Sequence, residues 1–519
     1  MQTMTRARLA LAAALTTLAM AATDAQSPAR DVTILYTNDF HSAFDPIPAY
    51  WMPGSPRLGG AAQLTSLVNR VRARETQVFL FDTGDMFTGM LSNLTRGEAL
   101  MEMMLSMDYD AMAIGNHEFD YGSVNFSAQM NRVPFPVLGA NIFYRDTGRP
   151  YARPYAILER GGVRVGVIGI IGQDARSVAL PSGITDLDFR DPVPIVRAHV
   201  AALRPEVDLI VVLAHQGKTG PMQSDAEARP EVQRDFDEDV RLAGAVEGID
   251  VLVGGHAHRG IETPFVHPRT GTLIVQTYGY GTRLGYLKLQ LRGGRVAAHT
   301  GELIEVRSDA LPADPLVASK IAAYRTRFEA QIGRPIGRTA ARLVRDYRAE
   351  SSLGSFVADV MREDTGADVG FQNAGGLRAD IPAGAVTNGH ILDALPFPNT
   401  IVVCEMTGAE IRAVLEQGLT LERGMIQVSG LEARYDLTRP PGTRIVSLTI
   451  GGAPVDGTRT YTAATNSFLA QAGDLYAAFA GTRQKDTGLT LSEVMIRRFE
   501  RDGVITPPQP GRLAPAHQH

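Results

Sequence analysis

Five short apolar runs in this chain break off in the same way, into aspartate, asparagine or histidine. Asp39 and His41 close "TILYTNDFH", and Asp85 follows "VFLFDTG". Asn116, His117 and Asp120 follow "DAMAIG", His215 follows "LIVVLA", and His256 and His258 follow "VLVGG". Near-continuous apolar runs rich in β-branched residues read as strands buried on both faces. They recur from about Asp31 to Val306, also at "RVGVIGI" and "TLIVQTY", with helix-like stretches such as "GAAQLTSLVNRVRARE" and "DPVPIVRAHVAALR" between. That alternation specifies an α/β fold. Ligands of α/β sheets bind beyond the carboxyl ends of the strands. Five strands therefore deliver nine polar side chains to one edge.

The residue types narrow the chemistry. Asp39, His41, Asp85, Asn116, His215, His256 and His258 offer oxygen and imidazole donors that suit divalent Zn, Mn, Co or Ni. Seven donors are too many for one tetrahedral ion. They suit two ions about 3.5–4 Å apart that share a bridging carboxylate. Each motif taken singly reads as a turn, a cap or a structural histidine. Five of the eleven histidines stand at these strand ends, and that grouping argues for a site. His199, His267, His299, His390, His517 and His519 read as structural or surface residues. The single cysteine, Cys404 in "NTIVVCEM", excludes an intramolecular disulfide and reads as a buried core residue. With no cysteine cluster, a structural zinc site is not expected.

Length sets a prior of two or three domains for 519 residues. A formal net charge of −5 argues against a broad surface for polymeric nucleic acid. The start, "MQTMTRARLALAAALTTLAMAATDAQ", reads as a secretory signal over residues 1–25, with Arg6 and Arg8 before the apolar region. A first domain is expected over 31–306, a linker helix over 307–338 between prolines, and a second, smaller α/β domain over 339–513. The end, 514–519, reads as a disordered tail. Export to a bacterial periplasm fits the signal and the lack of disulfides, and no membrane contact is expected after cleavage. Oligomeric state is left open.

In this order, "YTNDFH", "DTGD", "GNHEFD", "LAHQG" and "GGHAH" resemble the calcineurin-like metallophosphoesterases. With the second domain, the chain resembles the bacterial 5′-nucleotidase / UDP-sugar hydrolase family over about Asp31 to Leu513. The resemblance implies a first domain built as a sandwich of β-sheets flanked by helices. It implies Asp39, His41, Asp85 and His258 around one ion, and Asp85, Asn116, His215 and His256 around the other. It gives His117 transition-state stabilisation or leaving-group protonation, with Asp120 orienting it. In the second domain, "FQNAGGLRADI" is similar to the family's "NGGGIR" element and implies substrate binding by Asn373 and Arg378. Phe397 and Phe468 correspond to the pair that sandwiches the nucleobase, and Asp474 to a carboxylate that bonds the ribose hydroxyls. Arg348, with Arg345 as rival, is a further expected phosphate ligand. A hinge-like rotation about the linker is implied as well.

The implied activity is release of phosphate from nucleoside 5′-monophosphates. Alternatives on the same scaffold are a nucleotide-sugar pyrophosphatase, a 2′,3′-cyclic nucleotide phosphodiesterase or a hydrolase of a sulfur-containing ester. A periplasmic nucleotide-binding protein without turnover is the reading from another class. The chain departs from the family at His258, which stands where better-known nucleotidases have an amide. Ser42 and Ala374 each replace a glycine, and "AGDL" stands for "GGDG", with Ala472 and Leu475 in place of glycines.

Overall fold

The computed structural model describes residues 29–49, 52–217 and 237–516. The signal reading over 1–25, and His517 and His519, lie outside the described residues. No helix among the described residues is long and apolar enough to cross a membrane.

The first domain is two six-stranded sheets packed face to face. At the centre of one sheet Arg30–Thr37 pairs parallel with Val78–Asp82 and antiparallel with Arg283–Arg292. At the centre of the other, Leu209–His215 lies parallel between Val163–Ile171 and Val251–Gly254. Side chains alternate across each strand. Ile34, Tyr36, Phe79 and Phe81 therefore point between the sheets, where they meet Val165, Val211, Leu213 and Val253. Their neighbours Leu35 and Leu80 point outwards, under the helices Ala61–Arg72 and Glu98–Ser106. On the second sheet Ile210, Val212 and Leu252 point outwards under Pro192–Leu203 and Asp237–Ala245. Both faces of both sheets are covered, and this is why the strands read as unbroken apolar runs. Phe79 and Phe81 stack at 6.0 Å between centroids, and burying each ring contributes roughly 1.5–3 kcal/mol.

The helix Pro315–Ile332 joins the domains. The Asp314 carboxylate caps it by accepting from the backbone N–H of Leu316 and Val317, and Pro315 fits the first turn, where no N–H is needed. Val317 and Ile321 pack into the first domain's core.

The second domain has a five-stranded sheet ordered Gln427–Ser429, Val369–Gln372, Thr460–Asn466, Thr400–Thr407 and Arg483–Thr490. Helices Ser352–Thr365 and Leu491–Asp502 cover one face and Gly408–Gly418 the other. Cys404 is fully buried in the Thr400–Thr407 strand. The start of the expected disordered tail is ordered instead. Leu513–Pro515 adds a parallel strand to Leu431–Tyr435, and the Ala516 N–H donates to the Tyr435 carbonyl. The prolines of "PPQP" precede this strand, and Pro515, which has no N–H, falls only at its last residue.

Candidate metal centre and substrate cavity

Asp39, His41, Asp85, His256 and His258 all take left-handed backbone conformations, with φ between 46° and 66°. Such residues cost of order 1–3 kcal/mol each and persist only where the surroundings enforce them. The enforcement is visible. Asp39 is held by the His256 N–H at 2.9 Å, and the His41 N–H donates to the Asp85 carbonyl at 3.0 Å. Glu118, which the sequence reading did not single out, accepts from the backbone N–H of Gly115, Asp85 and Met86 at 2.7–2.9 Å. It thereby fastens the "DTGD" turn to the "GNHE" turn, and burial lifts its carboxyl to about 7. Its signal was its place inside a motif already quoted.

Three groups of side chains are able to hold metal: Asp39, His41 and His258; Asp85, His215 and His256; and His41, Asp85 and His117, which links the first two. His41 Nε2 lies 3.0 Å from His258 Nε2, which is 3.3 Å from Asp39 Oδ1. His215 donates from Nδ1 to the Thr83 carbonyl at 2.8 Å, so its Nε2 lone pair faces Asp85 Oδ1 at 3.2 Å and Asn116 Oδ1 at 3.1 Å. Acceptor atoms this close repel one another unless a proton or a metal ion lies between them. Tetrahedral ligands at zinc distances stand roughly 3.3 Å apart. His256 Nδ1 is buried and makes no hydrogen bond among the described residues. This donor set fits a divalent-ion pair.

The electrostatics agree. Burial would lower the His215 imidazole, but Asp85 lifts it to about 10. Burial would raise Asp85, yet His215 and His117 hold it well below the ordinary carboxylate range. A metal ion bound at this cluster would displace that proton. His41 has no such stabilisation, because burial and then Arg378 push it well below the usual imidazole range.

His117 stands at the mouth of the clusters. Its Nδ1 is 3.0 Å from Asp120 Oδ1, and Asp120 Oδ2 accepts from Thr88 Oγ1 at 2.9 Å. Burial lowers His117, but the charges of Asp120 and Asp85 outweigh it and raise the ring above its ordinary value.

The second domain closes a cavity of about 90 Å³ over these residues. Asn373, Arg378, Phe397, Phe468 and Asp474 line it together with His41, Asp85, Asn116, His117 and His258. Arg378 reaches across and donates from Nη2 to the Tyr280 hydroxyl at 3.0 Å. Tyr280 packs on His41 and His258, and sequence reasoning missed it because it lies outside every motif. Phe397 stacks on His117 at 5.5 Å, and Asn373 Nδ2 donates to Asp474 at 2.8 Å. A Cβ on Gly473 would fall within 2.5 Å of the Phe468 ring, so glycine is what lets that ring approach.

Arg348, expected as a phosphate ligand, does not line this cavity. Its backbone N–H and that of Ala349 donate to the Asp346 side chain, a local turn that leaves Arg348 exposed and outside the cavity. Tyr347 takes the cavity-facing place. Arg345 lines an adjoining cavity with Arg342 and Arg378. His199, His267, His299 and His390 lie outside both clusters.

A two-sheet sandwich carrying paired Asp/His clusters at its strand ends defines a calcineurin-like phosphoesterase, and the family model of that description matches residues 32–260. The model for the 5′-nucleotidase C-terminal domain matches residues 332–481. A 5′-nucleotidase precursor from Thermus thermophilus superposes with a TM-score of 0.83 at 30% identity, covering 94% of this chain and 100% of that one. Protein UshA of Escherichia coli (strain K12) is 29% identical over 89% of this chain and 90% of its own length. A snake venom 5′-nucleotidase of Naja atra is 28% identical over 93% and 98%. The chain belongs to the 5′-nucleotidase family of metal-dependent phosphoesterases. The family uses two divalent metal ions.

Proposed function

We propose that this protein is an exported hydrolase of nucleoside 5′-monophosphates. One observation carries the reading: a single cavity is lined by His41, His258 and Asp85 of the Asp/His clusters from one domain and by an amide, a guanidinium, two phenyl rings and a carboxylate from the other. Bound at the clusters, two divalent ions would supply hydroxide from water near neutral pH and offset charge on the phosphoryl oxygens. Asp39, His41 and His258 would hold one ion, Asn116, His215 and His256 would hold the other, and Asp85 would contribute to both. Arg378 receives the phosphate from the opposite side, where its planar fork matches two oxygens. His117, oriented by Asp120, donates to the developing charge or to the leaving oxygen. Phe397 and Phe468 flank the base, with stacking worth ~1–3 kcal/mol. Asp474 and Asn373 hold the sugar hydroxyls. A binding protein has no use for the His117–Asp120 pair. Export is inferred from the N-terminal signal sequence alone.

The test is phosphate release from AMP with added Mn, abolished by a chelator. No release under these conditions would refute the reading. A second reading is a nucleotide-sugar pyrophosphatase; Arg342 and Arg345 line the adjoining cavity with Arg378, together with Asp45, Asp380 and Asp393. Faster turnover of a UDP-sugar than of AMP would favour it.

A further inference from the structure

We propose that Asp174 positions His256 as an ion ligand, and that Arg423 of the second domain tunes this carboxylate across the domain boundary. The proposal rests on the dinuclear-metal reading above. Asp174 follows the strand Val163–Ile171 and directly precedes the short helix Ala175–Val178. One oxygen, Oδ2, makes two contacts: His256 Nε2 at 3.2 Å and Arg423 Nη2 at 3.1 Å. Gly172 makes room for the carboxylate, since a Cβ there would stand 2.5 Å from Asp174 Oδ1.

A carboxylate only accepts, so His256 donates from Nε2 and carries its lone pair on Nδ1. That is the buried nitrogen without a hydrogen bond. Asp174 thus selects the tautomer in which Nδ1 can face an ion, fixes the ring and raises its basicity, as outer carboxylates do for ligating histidines. Neither Asp174 nor Arg423 belongs to the strand-end motifs. Arg423 lies between the helix Gly408–Gly418 and the strand Gln427–Ser429 and is only 7% exposed. Its charge is also felt by Asp474 in the substrate cavity. A row of alternating charge therefore runs from the substrate cavity through Arg423 and Asp174 to His256. Sharing Asp174 Oδ2 with a guanidinium weakens the bond it accepts from His256. Removing that guanidinium should strengthen the hold on the ion.

The experiment measures ion retention against a competing chelator, using Mn and substrate-free protein, alongside kcat and KM for AMP. Asp174→Asn should weaken one of two ions by ~10–100-fold and leave the other unchanged. Arg423→Met should tighten the same ion several-fold, Arg423→Lys should stay near the unmodified value, and Arg423→Met should do nothing once Asp174 is Asn. Equal retention in Asp174→Asn and the unmodified chain would overturn the proposal. So would an Arg423→Met effect that persists in the double variant. If the unmodified chain holds two ions and hydrolyses AMP in either case, the dinuclear reading survives alone. If it holds none, both readings fall.

Discussion

His41 and His258, 217 residues apart in sequence, face each other with their Nε2 atoms 3.0 Å apart and a carboxylate oxygen of Asp39 beside them. Two imidazole nitrogens hold this approach either through one proton between them or around a shared cation, and the neighbouring Asp39 carboxylate suits the cation. His258→Ala should leave one of two ions per chain by elemental analysis and lower hydrolysis roughly 10²-fold or more. Retention of both ions would remove His258 from the ligand set.

His117 touches Asp120 and lies beside the clusters, and the proposed role needs its proton. His117→Ala should keep both ions and lower kcat by ~10²-fold, with Asp120→Asn giving a smaller loss in the same direction. Steady-state kinetics together with metal analysis decide it. An unchanged kcat at full occupancy would exclude the role.

Arg378 faces the cavity and Arg348 faces solvent. Arg378→Ala should raise KM for AMP at least ~10-fold, because a charge-assisted pair is lost. Arg348→Ala should leave kcat and KM within about twofold. Equal effects would mean that the substrate reaches Arg348.

Ala472 and Leu475, both read as replacing family glycines, sit at φ of 63° and 67°, and Ser42 sits at 53°. The Ser42 hydroxyl is buried without a hydrogen bond among the described residues. Left-handed conformations cost non-glycine residues roughly 1–2 kcal/mol. Ala472→Gly and Ser42→Gly should each stabilise the protein by about 1 kcal/mol in urea unfolding, less the entropy that glycine adds to the unfolded chain. A lower midpoint in both would show that the strain is absent.

Asp239 is fully buried and accepts from Gln216 Nε2 at 2.8 Å, while its Oδ2 has no hydrogen bond among the described residues. Burial raises its carboxyl well above the ordinary range. The folded state then holds a proton that the unfolded state releases, so Asp239 lowers stability as pH rises above its unfolded value. Asp239→Asn should gain on the unmodified protein at about pH 8, and the gain should shrink towards about pH 4. A constant difference across that window would mean that Asp239 is ionised when folded.

The sequence by itself determined the strand runs, the strand ends that carry Asp39, Asp85, Asn116, His215 and His256, and a linker helix, expected over 307–338 and found at Pro315–Ile332 after the Asp314 cap. These are local matters: apolar alternation, a capping side chain, and a proline where no donor is needed. The tertiary structure decided which donors meet. His258 reaches His41 because two sheets stack with their strand ends together, and no spacing encodes that distance. It placed Tyr280 between two ligands and Tyr347 in the cavity, and it turned Arg348 out through the Asp346 turn. It also brought Arg423 of the second domain onto Asp174 of the first. Contacts between residues hundreds of positions apart depend on how whole sheets and domains pack, and local residue pattern carries little of that information.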